Sequence, residues 1–460
     1  MVLYSLENLK SYIRCYVLVS IILNDRISEK EMRGIFMVSS MDNLYVLENK
    51  NQILIYSLDT QSWMRGDKNY IQSLSLDEMY ELLEKFHLKS KQEQGNLNRP
   101  KIHSLYIFIT RKCNMNCSFC SMDAGPHVNT TNEITLEETI DFLKYMNRYR
   151  IDRIIISGGE PLLSPKLYSI LEYISKKMKN TQIVVQTNGA LINENFCNRV
   201  KDKITRLNIS IESIYDIWSN KKNEFIEQLE IVYRNNIQME FSFVVTKENS
   251  QYVYDYIELC RHFNAEAGIK IVSAVGGEKR FDELSLNEEE ILEFYKGICG
   301  YILEHNYIEN QNLETILGYV PIPRNGCSAF YLKSISLLPD GNVCRCHSIK
   351  EGYFNDIGNI RTENVYSKIE DKITKNNSEE LFSVSSKIYC RTCVYKHFCT
   401  GICCAEIYNC PENTFYKPAS CEWKKILISY YLWNHDKQNR KSMWEEIYKV
   451  LEKRLDEKYE

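Results

Sequence analysis

The stretch Cys113-Asn-Met-Asn-Cys117-Ser-Phe-Cys120 puts three cysteines within eight residues, spaced CxxxCxxC, directly after the β-branched and aromatic run Leu105–Thr110. That run reads as a strand, so the cysteines occupy the loop at its C-terminal end. Three thiolates on one tight loop can hold three irons of a [4Fe–4S] cube and leave the fourth iron open. A complete four-cysteine set suits an electron carrier, whereas a vacant iron can bind and act on a ligand. A zinc loop and three buried thiols are the plainer readings. Zinc fits poorly, because a tetrahedral site wants a fourth Cys or His close by.

Further on, Ile154-Ile-Ile-Ser-Gly158-Gly159-Glu160-Pro161 is a buried strand that runs into a glycine turn and a carboxylate. CxxxCxxC after one strand and GGEP after a later one together resemble the radical S-adenosylmethionine (SAM) superfamily. The resemblance implies that Cys113, Cys117 and Cys120 ligate the catalytic cluster and that SAM chelates its open iron through amine and carboxylate. Phe119 matches the position that packs on adenine; an ordinary apolar contact is its plainer reading. Gly158 and Gly159 match the close backbone approach to the methionyl group. Glu160, with Pro161 beside it, matches an acceptor for the SAM ammonium, or else is a helix-entry carboxylate. Asn188, within Thr187-Asn188-Gly189, and Ser210 match carboxylate and ribose contacts. The chain departs from the pattern at Glu212-Ser213, where many relatives have Asp-Gly. Gly276-Gly277 reads as a turn into the following helix.

Length and composition bound the remainder. The 460 residues suffice for two to four domains. A net charge of −4 gives no basic footprint for nucleic acid. The apolar run Tyr16-Val-Leu-Val-Ser-Ile-Ile-Leu23 is far short of a membrane span, and no small-residue cleavage site follows it. Seventeen cysteines grouped at short spacings, with no export signal, point to a reducing cytoplasm and metal ligation rather than disulfides.

Taken in order, residues 1–98 form an N-terminal α+β unit. Leu44–Leu47 and Gln52–Tyr56 make a hairpin around Glu48–Asn51. Ser75-Leu-Asp-Glu78 is a capping box that opens a helix with Met79, Leu82, Leu83 and Phe86 on one face. Lys91–Pro100 is a polar linker. In position and size this unit resembles the winged-helix leader-peptide binders of peptide-modifying radical SAM enzymes; the alternative is a stabilising appendage. Residues 99–280 alternate strands (Leu105–Thr110, Ile154–Ile156, Ile183–Gln186, Leu207–Ile211, Glu240–Val245, Gly268–Val272) with helices. Thr135–Glu138 is a capping box, and Ser164 with Pro165 opens a helix carrying Leu167, Ile170, Leu171 and Ile174. The pattern is that of a parallel α/β fold, and its six βα units match the partial (β/α)6 barrel that the resemblance implies, with the motifs at the strand C-termini. Residues 281–325 form a helical bridge entered by the box Ser285–Glu288, with Ile291, Leu292, Phe294, Tyr295 and Ile298 on its apolar face.

Residues 326–425 carry the second cysteine signal, Cys327-x13-Gly341-x4-Cys346, then Cys390-x2-Cys393-x5-Cys399-x3-Cys403, then Cys421. This order and spacing resemble the SPASM domain, which holds two auxiliary [4Fe–4S] clusters, three in the protein altogether. The resemblance assigns Cys327, Cys346 and Cys403 to the first, and Cys390, Cys393, Cys399 and Cys421 to the second. One ligand is missing, because Pro321–Gly326 contains no cysteine. Cys344 or Cys299 fills the gap, or an iron stays open to a substrate thiolate, which suits iron's softness. Cys15, Cys197, Cys260, Cys404 and Cys410 read as buried inert thiols. Residues 426–460 read as a C-terminal helix packed on the outside.

The resemblance implies a maturase of ribosomally made precursor peptides. A 5′-deoxyadenosyl radical would take hydrogen from an unactivated carbon, and the auxiliary clusters would carry the surplus electron away. A flavodoxin or ferredoxin would be the electron donor. Thioether formation from a Cys is the leading reaction, beside carbon–carbon crosslinking, epimerisation and sulfatase-type formylglycine formation. The last commonly pairs with an Asp after the cysteine matching Cys346, where this chain has His347, a base or a loop residue. An iron–sulfur carrier without SAM turnover is the reading from a different class.

Overall fold

The structure is a computed structural model that describes residues 36–41, 44–88, 101–211, 222–273, 281–317, 319–327, 333–348, 357–362, 364–374, 383–409, 415–435 and 440–459. The apolar run 16–23, the linker 91–100, Cys15, Cys410, Glu212, Ser213, Gly276 and Gly277 lie outside the described residues.

Nearest the N-terminus, β1 (Phe36–Met41), β2 (Leu44–Glu48), β3 (Gln52–Ser57) and β4 (Trp63–Asp67) form an antiparallel meander in that order. The expected hairpin is β2–β3, closed where Asn49 N donates to Gln52 O at 3.0 Å. Strand alternation gives the sheet two apolar faces. Ile53, Ile55, Val46 and Met64 pack on the unit's own helices through Ile71, Met79 and Leu83. The Ser75 box opens the helix Leu76–Lys85 as expected, but Phe86 caps its C-terminus and is exposed, so the apolar face ends at Leu83. Leu47, Leu54 and Tyr56, on the opposite face, pack against Tyr395, Phe398, Ile428, Leu432 and Trp433 near the other end of the chain.

That contact is polar at its centre. Tyr56 Oη lies 2.7 Å from His397 Nδ1, with both rings buried. Burial holds the His397 imidazole down to about 4, so it is neutral at pH 7. Tyr56→Phe would leave that ring nitrogen buried without its partner. The expected loss is about 1–3 kcal/mol of stability, read as a lower denaturation midpoint with the cysteine chemistry untouched.

The main sheet has nine strands. β5 (Lys101–Phe108), β6 (Arg150–Ser157), β7 (Gln182–Thr187), β8 (Arg206–Ser210), β9 (Met239–Val245) and β10 (Glu266–Ile271) run parallel and adjacent in chain order. Each of the six expected strands is present within a few residues of its expected limits. β11 (Ser334–Leu337) pairs parallel to β5 on its other edge, and β12 (Asn342–Cys344) and β13 (Gly358–Asn359) continue antiparallel. The second cysteine segment thus enters the same sheet as the first.

Helices cover one face of the sheet. The Thr135 capping box starts Leu136–Met146. Leu167, Ile170, Leu171 and Ile174 are all buried, as their spacing requires, but the helix is Leu167–Lys177 with Lys166 at its N-cap. Ser164 instead ends the 3₁₀ turn Pro161–Leu163, because its N–H donates back to Pro161 O. The bridge helix is Glu288–Glu304, and its capping box is Asn287 with Glu290, two residues beyond the expected one. Asn287 Oδ1 accepts from Glu290 N at 2.9 Å and Glu290 Oε2 accepts from Asn287 N at 2.7 Å. The last helix, Arg440–Tyr459, packs on the outside as expected, burying Met443, Trp444, Ile447, Leu451 and Leu455 in the main core while Lys449, Lys453 and Arg454 face solvent.

Candidate functional site

The loop after β5 is closed at its base. Lys112 and Gly125 form a parallel bridge, with Cys113 N donating to Gly125 O at 3.1 Å and Gly125 N to Arg111 O at 3.3 Å. Glu133, which the sequence did not single out, anchors the approach by accepting from Arg111 N at 2.6 Å and Thr110 Oγ1 at 3.1 Å. Cys113, Cys117 and Cys120 lie inside this closed loop as half-buried thiols outside any disulfide, and Phe119 is half-buried beside them. Burial pushes the Cys113 thiol up, opposed by the Met115 N–H, 3.4 Å from its sulfur.

The GGEP turn is laced onto that loop. Gly159 N donates to Thr110 O at 2.7 Å and Glu160 N donates to Lys112 O at 2.8 Å. A Cβ on Gly158 (φ +153°) would sit 2.5 Å from Thr110 O, and one on Gly159 would sit 2.4 Å from Lys112 O. Both glycines are therefore required where protein backbone meets protein backbone. This is a reason for them apart from any approach by a ligand.

Glu160 ties in a third strand end. Its Oε1 accepts from Leu162 N at 2.9 Å, capping the 3₁₀ turn that the buried Pro161 opens, and from Thr187 Oγ1 at 2.8 Å. Its Oε2 accepts from Asn188 N at 2.8 Å. The side-chain amide of Asn188 then donates to Asn114 Oδ1 at 2.8 Å and points at Cys113 Sγ at 3.7 Å. A continuous chain thus runs from the GGEP carboxylate through Asn188 to the first cysteine. Asn114 is a member that spacing gave no reason to single out. Ser210 stands at the end of β8, on the same rim of the sheet.

Burial raises the Glu160 carboxyl to about 7, against three hydrogen bonds that favour its ionised form. A carboxyl raised in the fold above its unfolded value, near 4.5, leaves stability intact below pH 4.5. Stability then falls as pH rises toward 7, because over that span the unfolded chain has released a proton the fold still holds. Glu160→Gln should abolish this slope. The denaturation midpoint followed between pH 5 and pH 8 measures it, and an unchanged slope would contradict the assignment.

On the face of the sheet opposite Leu105 and Ile107, Tyr106 and Phe108 of β5 stack at 6.1 Å between centroids, and the His347 ring lies over both at 4.9 and 5.0 Å. Burial, with the nearby Lys270 charge, holds His347 down to about 4. The cations deeper on this face are engaged: Arg153 Nε donates to Ser104 Oγ at 2.7 Å, and Arg206 pairs with Glu240 and Glu266 at 3.2 and 2.5 Å.

The remaining clustered cysteines gather in two groups. Burial raises Cys346 to about 11, and the neighbouring thiols Cys403 and Cys327 add to the rise. Cys404 joins them, its sulfur 3.9 Å from Cys327 Sγ. Cys404 is buried, as expected. In the second group burial raises Cys421 to about 11, with Cys399 and Cys393 adding to it. Cys390 in turn adds to the rise of Cys393. Cys197 and Cys260 are fully buried in the main core, as expected.

A parallel sheet whose first strand ends in three thiols, laced to a Gly-Gly-Glu turn at the end of the second, defines a radical SAM domain. Residues 107–260 match the family model of the Radical SAM superfamily, and the chain carries a domain of that superfamily. A probable GTP 3′,8-cyclase of Methanococcus aeolicus is 37% identical over 123 residues, which are 26% of this chain and 40% of that protein. Among solved structures, native anSMEcpe with bound AdoMet and Cp18Cys peptide superposes with a TM-score of 0.53 at 18% identity, over 72% of this chain and 97% of that one. Streptococcus suis SuiB bound to precursor peptide SuiA gives 0.51 at 12% identity, over 82% and 96%. At these identities the two structures establish a shared fold. Among the described residues, no helix is long and apolar enough to cross a membrane.

Proposed function

We propose that this chain is a peptide maturase of the radical SAM class with a C-terminal SPASM domain. The reading is supported by seven cysteines outside the SAM motif that act on one another's thiols in the two sets two auxiliary clusters would use, although among the described residues no three Cys, His, Asp or Glu side chains converge closely enough to hold a metal ion. The donor type fits, since thiolates are the soft ligands iron–sulfur clusters take. Cys113, Cys117 and Cys120 would hold the SAM cluster. Cys327, Cys346 and Cys403 would hold the first auxiliary cluster, and Cys390, Cys393, Cys399 and Cys421 the second. With SAM bound, the first of these clusters supplies reductive cleavage of the sulfonium and a hydrogen-abstracting radical. The protein's own part is positional. The loop closure at Lys112–Gly125 fixes the thiols, the Glu160–Asn188 chain orients the amide beside Cys113, and Tyr106, Phe108 and His347 wall the interior against water.

A peptide substrate is supported by the two structures of like fold, each of which holds a bound peptide. The front sheet offers β1 and β4 as edge strands, where a leader peptide can add by main-chain hydrogen bonds. Thioether formation from a peptide Cys is the reaction we favour, with carbon–carbon crosslinking, epimerisation and formylglycine formation as its competitors. GTP, the substrate in the relatives' name, is the competing substrate from a different class. The deciding experiment incubates anaerobically reconstituted, reduced protein with SAM and a Cys-bearing precursor peptide. The expected outcome is 5′-deoxyadenosine together with peptide lighter by two hydrogens. Turnover of GTP in place of peptide would overturn the reading.

A further inference from the structure

We infer that Tyr106, His347 and Lys270 form a receptor for a carboxylate, so that the peptide residue to be modified lies beside an acidic side chain or a C-terminal carboxylate. The inference rests on the peptide reading above. The three groups come from the first and last of the six parallel strands, β5 and β10, and from the segment after β12.

Register puts the two strand residues on one face. Residues paired across a parallel ladder share a face, and every second residue along a strand returns to it. Tyr106 pairs with Ile155, Ile155 with Val184, and Val184 with Arg206. Asn208, two residues along β8, pairs with Glu240, and Glu240 with Glu266, four residues before Lys270. This is the face opposite Leu105 and Ile107, which pack in the core with the helices. The His347 ring lies over Tyr106 at 4.9 Å between centroids, and the charge of Lys270 acts on that same imidazole.

None of the three polar ends is engaged within the chain. Among the described residues, Tyr106 Oη, the His347 ring nitrogens and Lys270 Nζ have no hydrogen-bond or ion-pair partner. Tyr106 and His347 are half-buried, and Lys270 is exposed. Polar groups drawn partly out of water are costly until a partner meets them, so the patch calls for an acceptor from outside the chain. A phenol, an imidazole in either protonation state and an ammonium all donate.

Charge selects the class of acceptor. Along the six strands this face carries Arg153, Arg206 and Lys270 against Glu240 and Glu266, one positive charge in excess. A single carboxylate balances that excess, and its two oxygens have room for three donors. A phosphate monoester, at about −1.5 to −2, overshoots it.

The test uses the full chain, reconstituted anaerobically with SAM, and measures binding of four acetylated tripeptides by calorimetry. They are Gly-Cys-Asp and Gly-Cys-Asn as amides, and Gly-Cys-Gly as free acid and as amide. One acid should bind about tenfold or more tighter than its neutral counterpart, the effect of one charge-assisted hydrogen bond. Preference for Gly-Cys-Asp marks a side-chain carboxylate, and preference for the Gly-Cys-Gly acid marks a C-terminal one. Lys270→Met should erase the preference, and Lys270→Glu should turn it toward the Gly-Cys-Lys amide. Tyr106→Phe should weaken the acid and leave its neutral counterpart unmoved. Equal binding of acid and neutral probes to the wild type, or an acid preference that survives Lys270→Met, overturns the inference alone. Failure of all four peptides to bind overturns the peptide reading itself. The wild-type comparison decides even where a variant does not fold.

Discussion

Cys117→Ala will release no 5′-deoxyadenosine above background, while both auxiliary clusters still assemble. The reasoning is local. Cys117 sits in a loop closed at its base by the Lys112–Gly125 bridge, and its removal does not touch that closure. The fold and the two distal cysteine groups therefore persist, and only the proposed donor set of the SAM cluster drops from three thiols to two. The expected fall in SAM cleavage is at least about 10⁶-fold, the lower end of what enzymes supply over the uncatalysed reaction. Chromatography of the quenched reaction and an iron count of the same sample measure it. Wild-type 5′-deoxyadenosine yield from this variant would refute the assignment of the loop.

Gly159→Ala will act on the same chemistry by another route. The added carbon would lie 2.4 Å from Lys112 O and 2.7 Å from Arg111 O, both backbone atoms with no side-chain freedom to yield. The turn must lift, and the bonds Gly159 N to Thr110 O and Glu160 N to Lys112 O are the ones at risk. Overpacking of this kind costs about 1–3 kcal/mol. The larger effect falls on the site, because Glu160 holds Asn188, and Asn188 faces Asn114 and Cys113. SAM cleavage should drop by two orders of magnitude or more, since a misplacement of about 1 Å is enough for that. Normal cleavage with a lowered denaturation midpoint would show that the lacing serves stability alone.

The barrel was legible because its signals are short-range. Apolar runs such as Ile154–Ile156 can only be buried strands once turns bound them, and Thr135 with Glu138 marks a helix start within four residues. Helix entry misled where two boxes overlapped. Ser285-x-x-Glu288 and Asn287-x-x-Glu290 both fit the pattern, and only packing selects Asn287. The three motif cysteines were visible, but Asn114 and Glu133 were not, since neither carries a spacing signal. The contact between Cys327 and Cys404 was out of reach for a different reason. It depends on a left-handed pair at Thr400–Gly401 and a buried lysine that local composition does not announce. The apposition of Tyr56 and His397, 341 residues apart, is of the same kind.

β5 is paired along both edges, with β6 on one side and β11 on the other. A strand so flanked gives up its amide hydrogens only when the whole sheet parts, and such strands exchange most slowly. The thiols themselves hang beyond its end, half in solvent. The loop that carries the three thiols can therefore open locally while the strand beneath it stays paired.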